Sequence, residues 1–314
     1  MAGLEHPPDF DELEMRLKVL LPELYRDSYE QVQPISMGST GLQYGADGKV
    51  AWDRIWGSFC DLAMAGGPPH RGTLLQPGRR EEIGSEPERY RDAVDEICRG
   101  ISMVTGLCAE PSPDPGWVRM YGTSAPMVGW LMRAIVMENV SARYQGLALS
   151  VPVGPGYRLE KEIKNVVTAV AKTCHYWTEH MSETQHQDIA GLFRKMDAES
   201  PLIQPTDRDQ KTDLDAYRHI YEASALAIQQ TTGLYSSHHA DFGWLGVECE
   251  DVPGAVRMMR LLITCNVASR REGTCVLLPV NPAVDPAGES LVHALQRVHA
   301  VVSITPGKVP ASVV

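Results

Sequence analysis

The chain matches itself. Residues Tyr90 to Pro155 align without a gap on Tyr217 to Pro282 at a constant offset of 127, the spacing between Trp117 and Trp244. Matched pairs include Tyr90/Tyr217, Arg91/Arg218, Thr105-Gly106-Leu107/Thr232-Gly233-Leu234, Gly116-Trp117/Gly243-Trp244 and Met132-Arg133/Met259-Arg260. They continue through Asn139-Val140/Asn266-Val267, Arg143/Arg270, Gly146/Gly273, Pro152-Val153/Pro279-Val280 and Pro155/Pro282. Roughly a quarter of positions agree where about one in twenty would by chance, and self-similarity over such a span predicts one supersecondary unit built twice.

Each copy reads in the same order. A helix ends at Thr-Gly-Leu, where glycine suits a left-handed cap. A short strand follows Gly-Trp, at Val118 to Tyr121 or Leu245 to Cys249. A long helix then carries Met132, Val136, Asn139 and Arg143 on one face, to stop near Gly146 or Gly273. A second strand, Ala148 to Val153 or Cys275 to Val280, ends at proline. The fold class expected is therefore α/β, with tandem duplicated β-α-β units whose strands run parallel through a right-handed crossover. An antiparallel, ferredoxin-like arrangement is the alternative. A degenerate third unit can be read upstream, with strands at Met37 to Tyr44 and Thr73 to Leu75 around a helix from Val50 to Met64. Residues 9 to 29 form an amphipathic cover helix with Phe10, Leu13, Leu17, Leu20, Leu21 and Leu24 on its apolar side and Asp9 with Glu12 in capping-box spacing. The resulting divisions are 1–80 (the cover helix and degenerate repeat), 81–182 (copy one), 183–215 (a polar connection with a short helix near Ile189 to Met196) and 216–314 (copy two).

Charge and cysteine usage narrow the function classes. Twenty-nine Lys and Arg stand against 40 Asp and Glu, a net charge of −11, which disfavours nucleic acid as a partner. No run approaches the roughly 18 apolar residues of a membrane helix, and the acidic start lacks a signal-peptide layout. A cytoplasmic location is expected. The seven cysteines form an odd set without a C-x-x-C pair, which points to reduced thiols. Walker, Gly-x-Gly-x-x-Gly, Gly-x-Ser-x-Gly and kinase signatures do not occur.

The repeat also sorts candidate residues. What both copies share serves the fold, whereas what only one copy carries is free for function. Asn139/Asn266 and Arg143/Arg270 are thereby read as structural, with Arg143 in a last helical turn. The alternative is a pseudo-symmetric anion cleft of Arg133, Arg260, Arg143 and Arg270. Unshared clusters are three. Gly66-Gly67-Pro68-Pro69-His70-Arg71-Gly72 sets a candidate general base, His70, beside an anion-binding Arg71. The helix from Leu159 to Met181 has an apolar stripe including Cys174 and a polar stripe of Lys161, Lys164, Thr168, Lys172, His175 and Glu179. On it His175 is a second acid–base candidate oriented by Glu179, with Lys161 and Lys164 as anion holders. Gly154 and Gly156, just before it, offer a turn for an anion. The third cluster holds His238 and His239, which with His175 and His180 make an alternative metal set.

The leading reading is an enzyme that binds a small polar, anionic metabolite between repeats and uses histidine acid–base chemistry. The competing readings are a non-catalytic protein-binding or assembly protein and a metal-dependent protein built on the histidines. No cofactor is indicated by the sequence, and a homodimer is the base-rate expectation.

Overall fold

The computed structural model describes residues 9–26, 41–54, 62–206 and 213–304. Helix α1 (Phe10–Leu20) and a short α2 (Arg80–Ser85) precede a first unit. That unit runs α3 (Pro87–Thr105), β1 (Ala109–Pro111), β2 (Trp117–Tyr121), α4 (Ala125–Met137), β3 (Arg143–Gln145), β4 (Ala148–Pro152) and α5 (Lys164–Glu179). Helix α6 (Glu183–Glu199) leads to a second unit. Its elements are α7 (Leu214–Thr232), β5 (Ser236–His238), β6 (Trp244–Glu248), α8 (Val252–Ile263), β7 (Arg270–Glu272), β8 (Cys275–Pro279) and α9 (Glu289–Ile304). No helix among the described residues is long and apolar enough to cross a membrane, and the six described cysteines are free.

Helices and strands mix as expected, but the sheets are not parallel. Each has four strands, in the orders β1-β2-β4-β3 and β5-β6-β8-β7, and every ladder is antiparallel. The cause is local. The expected long helix ends at Met137 because Asn139 adopts φ 58°, and Asn266 does the same after α8 with φ 61°. Asparagine tolerates this left-handed conformation better than most residues. Arg143 therefore lies in a strand rather than in a last helical turn. That strand reverses at Gly146 into β4, so β4 returns antiparallel to β2 instead of crossing over parallel to it.

Other shared residues find their reasons in the backbone. Gly106 and Gly233 end α3 and α7 in the left-handed region, at φ 70° and 72°. Gly116 and Gly243 sit at φ 88° and 86°, where a Cβ would come within 2.9 Å of the carbonyl oxygens of Gly78 and Thr206. Their amides donate to the hydroxyls of Tyr90 and Tyr217, at 2.9 and 3.0 Å. Ser124 and Asp251 cap α4 and α8 by accepting from the amides of Met127 and Gly254. Helix α4 is apolar on every side but for Arg133 and buried from Met127 to Met137, as a helix enclosed on all faces must be. It packs against α5, α6, its own sheet and strand β7 of the second unit.

Upstream, the described part of the expected third unit carries only short elements. Among the described residues, 50–65 hold only two single turns, Trp52–Arg54 and Ala63–Ala65; residues 37–40 and 55–61 of the reading lie outside those described. Leu75 makes one parallel bridge to Val140, and Ile203 makes the equivalent bridge to Val267. Leu74-Leu75-Gln76-Pro77 thus corresponds to Leu202-Ile203-Gln204-Pro205, at an offset of 128 rather than 127. Helix α1 is shorter than expected, since Pro22 follows it. Leu13, Leu17, Leu20 and Leu21 are buried, Leu24 is exposed, and Asp9 pairs with Arg297 rather than closing a capping box. The polar connection contains a full helix, α6, whose Gln185 is buried and donates to the carbonyls of Val19 and Leu21.

Candidate functional site in the cleft between the units

The two units meet through reciprocal contacts at their helix ends. Arg133 donates to Asn266 Oδ1 at 2.6 Å, and Arg270 donates to Asn139 Oδ1 at 3.3 Å. Asn139 Nδ2 in turn reaches the carbonyls of Arg71 and Arg271, at 2.8 and 2.9 Å. Beside this seam opens a cleft of about 600 Å³, walled by Gln76, Arg79, Trp117 and Arg143 on one side and by Asp241 and Trp244 on the other. That volume falls in the range of small-molecule sites.

On both sides the wall is built from the same three residue types. In the first unit the Arg143 guanidinium lies 4.3 Å over the Trp117 ring and pairs with Asp114 at 2.7 Å. In the second, Arg270 lies 4.7 Å over Trp244 and pairs with Asp241 at 2.8 Å. Stacking on indole and a carboxylate partner hold each fork in a fixed orientation. Their surroundings differ. Arg270 is fully buried and also binds Glu272, while Asp241 accepts from Gln76 across the cleft. Arg143 keeps 18% of its side chain exposed, and its partner Asp114 is 61% exposed. The Asp114 carboxylate of the first triad stands mostly in water, whereas the Asp241 carboxylate of the second is only 19% exposed. Sequence reasoning set these arginines aside because both copies share them. The signal that would have found the site is the Asp114/Asp241 match, which completes the triad.

The four arginines of the pseudo-symmetric alternative do not converge. Arg133 lies over Phe193 and bonds Asn266, and Arg260 donates to the Met64 carbonyl at 2.8 Å. Arg143 and Arg270 stay on their own tryptophans.

The His70 loop and α5 do come together. Burial holds the His70 imidazole well below its usual range, and the charges of Lys172 and Lys164 push the same way. Its Nε2 is buried without a hydrogen-bond partner. Lys172, expected on a solvated face, is instead buried in an ion pair with Glu138 at 2.8 Å, and Glu138 also accepts from the Ala63 amide. Thr168, on the same face, is buried too. Arg71 pairs with Glu162 at 3.5 Å, and Lys161 is exposed.

The glycine turn before α5 has a packing role. Gly154 is small because Gly78 packs against it, a Cβ there meeting the Gly78 Cα at 3.1 Å. The Arg158 amide at the start of the helix donates to the Glu162 carboxylate, which already supplies the negative group. Gly156 faces open space.

His175 belongs to another cavity, of about 1010 Å³, shared with Cys174, Trp177, Glu179 and His186. Cys174 is buried, and burial pushes its thiol up to about 12, in keeping with a core residue. The four-histidine metal set does not form. His175 and His180 sit at the end of α5, with Nε2 atoms 3.2 Å apart. His238 stacks on Tyr221 at β5 of the other unit, with ring centroids 4.6 Å apart. His239 gathers instead with Asp241 and Glu272, a trio of metal-ligand type. The cation between those two carboxylates is the guanidinium of Arg270. His239 Nδ1 accepts from the Asp241 amide at 3.1 Å, which places the neutral ring's proton on Nε2, toward Glu272.

Comparison with known proteins gave no match to a family model, to a curated protein or to a solved structure.

Proposed function

We propose that the chain arose from two copies of one unit and binds a small molecule carrying an acidic group in the cleft between them, with Arg143 as the anchor. The observation that carries this reading is the inequality of the two triads. A guanidinium oriented by an indole, and paired with a carboxylate that is mostly in water, is suited to exchange that partner for a ligand carboxylate or phosphate. Gln76 meets Asp241 across the cleft, and Trp117 and Trp244 supply apolar surface on its two walls. The test is a thermal-shift screen of small carboxylates and phosphate esters, followed by calorimetry on any hit. Binding should weaken at least tenfold in Arg143→Ala and strengthen in Asp114→Asn, whose amide cannot compete as an anion. A hit whose affinity ignores Arg143→Ala would remove the cleft from consideration. A stoichiometric partner protein copurifying with the chain, in place of any ligand, would favour the assembly reading.

A second reading keeps catalysis and rests on a different observation, the neutral, buried Nε2 of His70 beside Lys172 and Lys164. Such an imidazole is a base at neutral pH. The α5 charges that act on it are those of Lys172 and Lys164. Because the folded pKa is depressed, the unfolded chain takes up the proton first as pH falls, so stability is full above about pH 6.5 and declines below it. Between about pH 7.5 and 5.5 the parent should lose stability through His70, and His70→Gln should flatten that slope in urea denaturation. Equal pH slopes for variant and parent would show that the ring protonates normally and end the base assignment.

A further inference from the structure

The end of α5 carries two histidines for which the cleft has no use. His175 lies near the end of the helix, and His180 is its C-terminal cap, with φ −120° and ψ 5°. This departure from helical geometry lets the His180 ring fold back toward His175. The two rings stand nearly perpendicular, at 80°, with centroids 4.9 Å apart. Their Nε2 atoms face each other at 3.2 Å. Tyr176 packs against both rings, at 6.1 and 5.2 Å. Its hydroxyl is fixed by Tyr25 at 2.7 Å, so the pair rests on a held surface rather than on two mobile side chains.

We infer that His175 and His180 form a binding site for a divalent transition metal such as zinc, nickel or cobalt, beside the cavity that His175 borders. Two imidazole nitrogens bound tetrahedrally at 2.0–2.1 Å from one ion lie about 3.3 Å apart, and the observed separation matches that bite. In the observed contact one Nε2 carries the hydrogen and the other accepts it; on metal binding the donating ring takes the tautomer with its proton on Nδ1, and rotation of the exposed His180 ring turns both lone pairs to a common point. Glu179 lies one helical turn beyond His175, is exposed, and its charge acts on the His175 ring; its carboxylate does not group with the two rings in the observed arrangement and must swing toward them to serve as a third donor, with water completing the shell. Imidazole with carboxylate is the donor set of zinc, nickel, copper and cobalt rather than of magnesium or calcium. His186 borders the same cavity but is engaged elsewhere: it stacks on Trp177 at 4.1 Å and its Nε2 faces the Trp177 carbonyl at 3.0 Å. The His239 trio is a poorer candidate, since Arg270 already provides its cation.

The test uses the tag-free full chain, stripped with a chelator and exchanged into metal-free buffer. Titration with cobalt should develop the visible bands of a low-symmetry site at one equivalent, zinc should bleach them, and calorimetry should give a micromolar zinc affinity. His175→Ala and His180→Ala should each weaken zinc at least tenfold with unchanged circular dichroism, Glu179→Gln by less, and His219→Ala, on the exposed face of α7, not at all. If His175→Ala loses its fold, His180→Ala carries the test alone, since that ring lies past the helix end. Absence of cobalt bands and of zinc heat, or stoichiometric binding that survives both histidine variants, would overturn the assignment.

Discussion

At the residue scale, the asparagines are the most informative positions. Asn139 does three things at once: it holds the left-handed turn that stops α4, donates to two carbonyls and accepts from Arg270 of the opposite unit. These can be separated by substitution. Asn139→Ala loses the hydrogen bonds and strains the backbone, and is expected to destabilise by about 2–4 kcal/mol in urea denaturation. Asn139→Gly relieves the strain and should recover about 1 kcal/mol of that. A Gly variant no more stable than the Ala variant would show that φ contributes nothing there. The same residue explains a misreading. Its spacing with Met132 and Val136 fits a helical face, and nothing in a periodicity of apolar residues reports that one position is left-handed. Lys172 is the parallel case: a lysine among polar neighbours at helical spacing reads as solvated, and only the arrival of Glu138 from α4 makes its burial tolerable.

At the scale of elements, what was legible was whatever has a local cause. The caps at Gly106 and Gly233, the strands after Gly-Trp and the apolar stripe of α5 all follow from residues within a few positions of one another. Strand direction does not. It depends on Arg143–Gln145, three residues with no strand signature, which become a strand because β4 offers an edge to pair with. The short parallel bridges of Leu75 and Ile203 were hidden for another reason. Their segments match at an offset of 128, so a search at a single spacing ends before it reaches them. The structure places His70 and His175 apart in their surroundings: the α5 charges that act on His70 are those of Lys172 and Lys164. Lys172 and His175 are close enough along the helix to share a polar stripe, yet the first turns inward to Glu138 while the second borders the outer cavity. Which part of a stripe a neighbour covers is decided by that neighbour, not by the helix that carries it.

At the scale of the molecule, each unit lacks something the other provides. Strand β7 covers α4, Arg133 satisfies Asn266 and Arg270 satisfies Asn139. Arg16 of α1 donates to the Thr264 carbonyl beyond α8 while binding Glu199 of α6. The described parts should therefore unfold together. A fragment of residues 213–314 alone would expose the apolar face of α8 and leave Asn266 without Arg133, and is expected to lack a cooperative thermal transition by circular dichroism. A fragment that melts as sharply as the whole chain would show that the units are independent.

The reciprocal grip has a bearing on the covalent chain itself. When each partner is capped by the other, the peptide between them acts chiefly as a tether that raises their effective concentration. The molecule is in that sense a heterodimer written on one strand: a break between Thr206 and Asp213 would leave two pieces with matching ends, and what a tether adds to their association can be supplied by concentration instead.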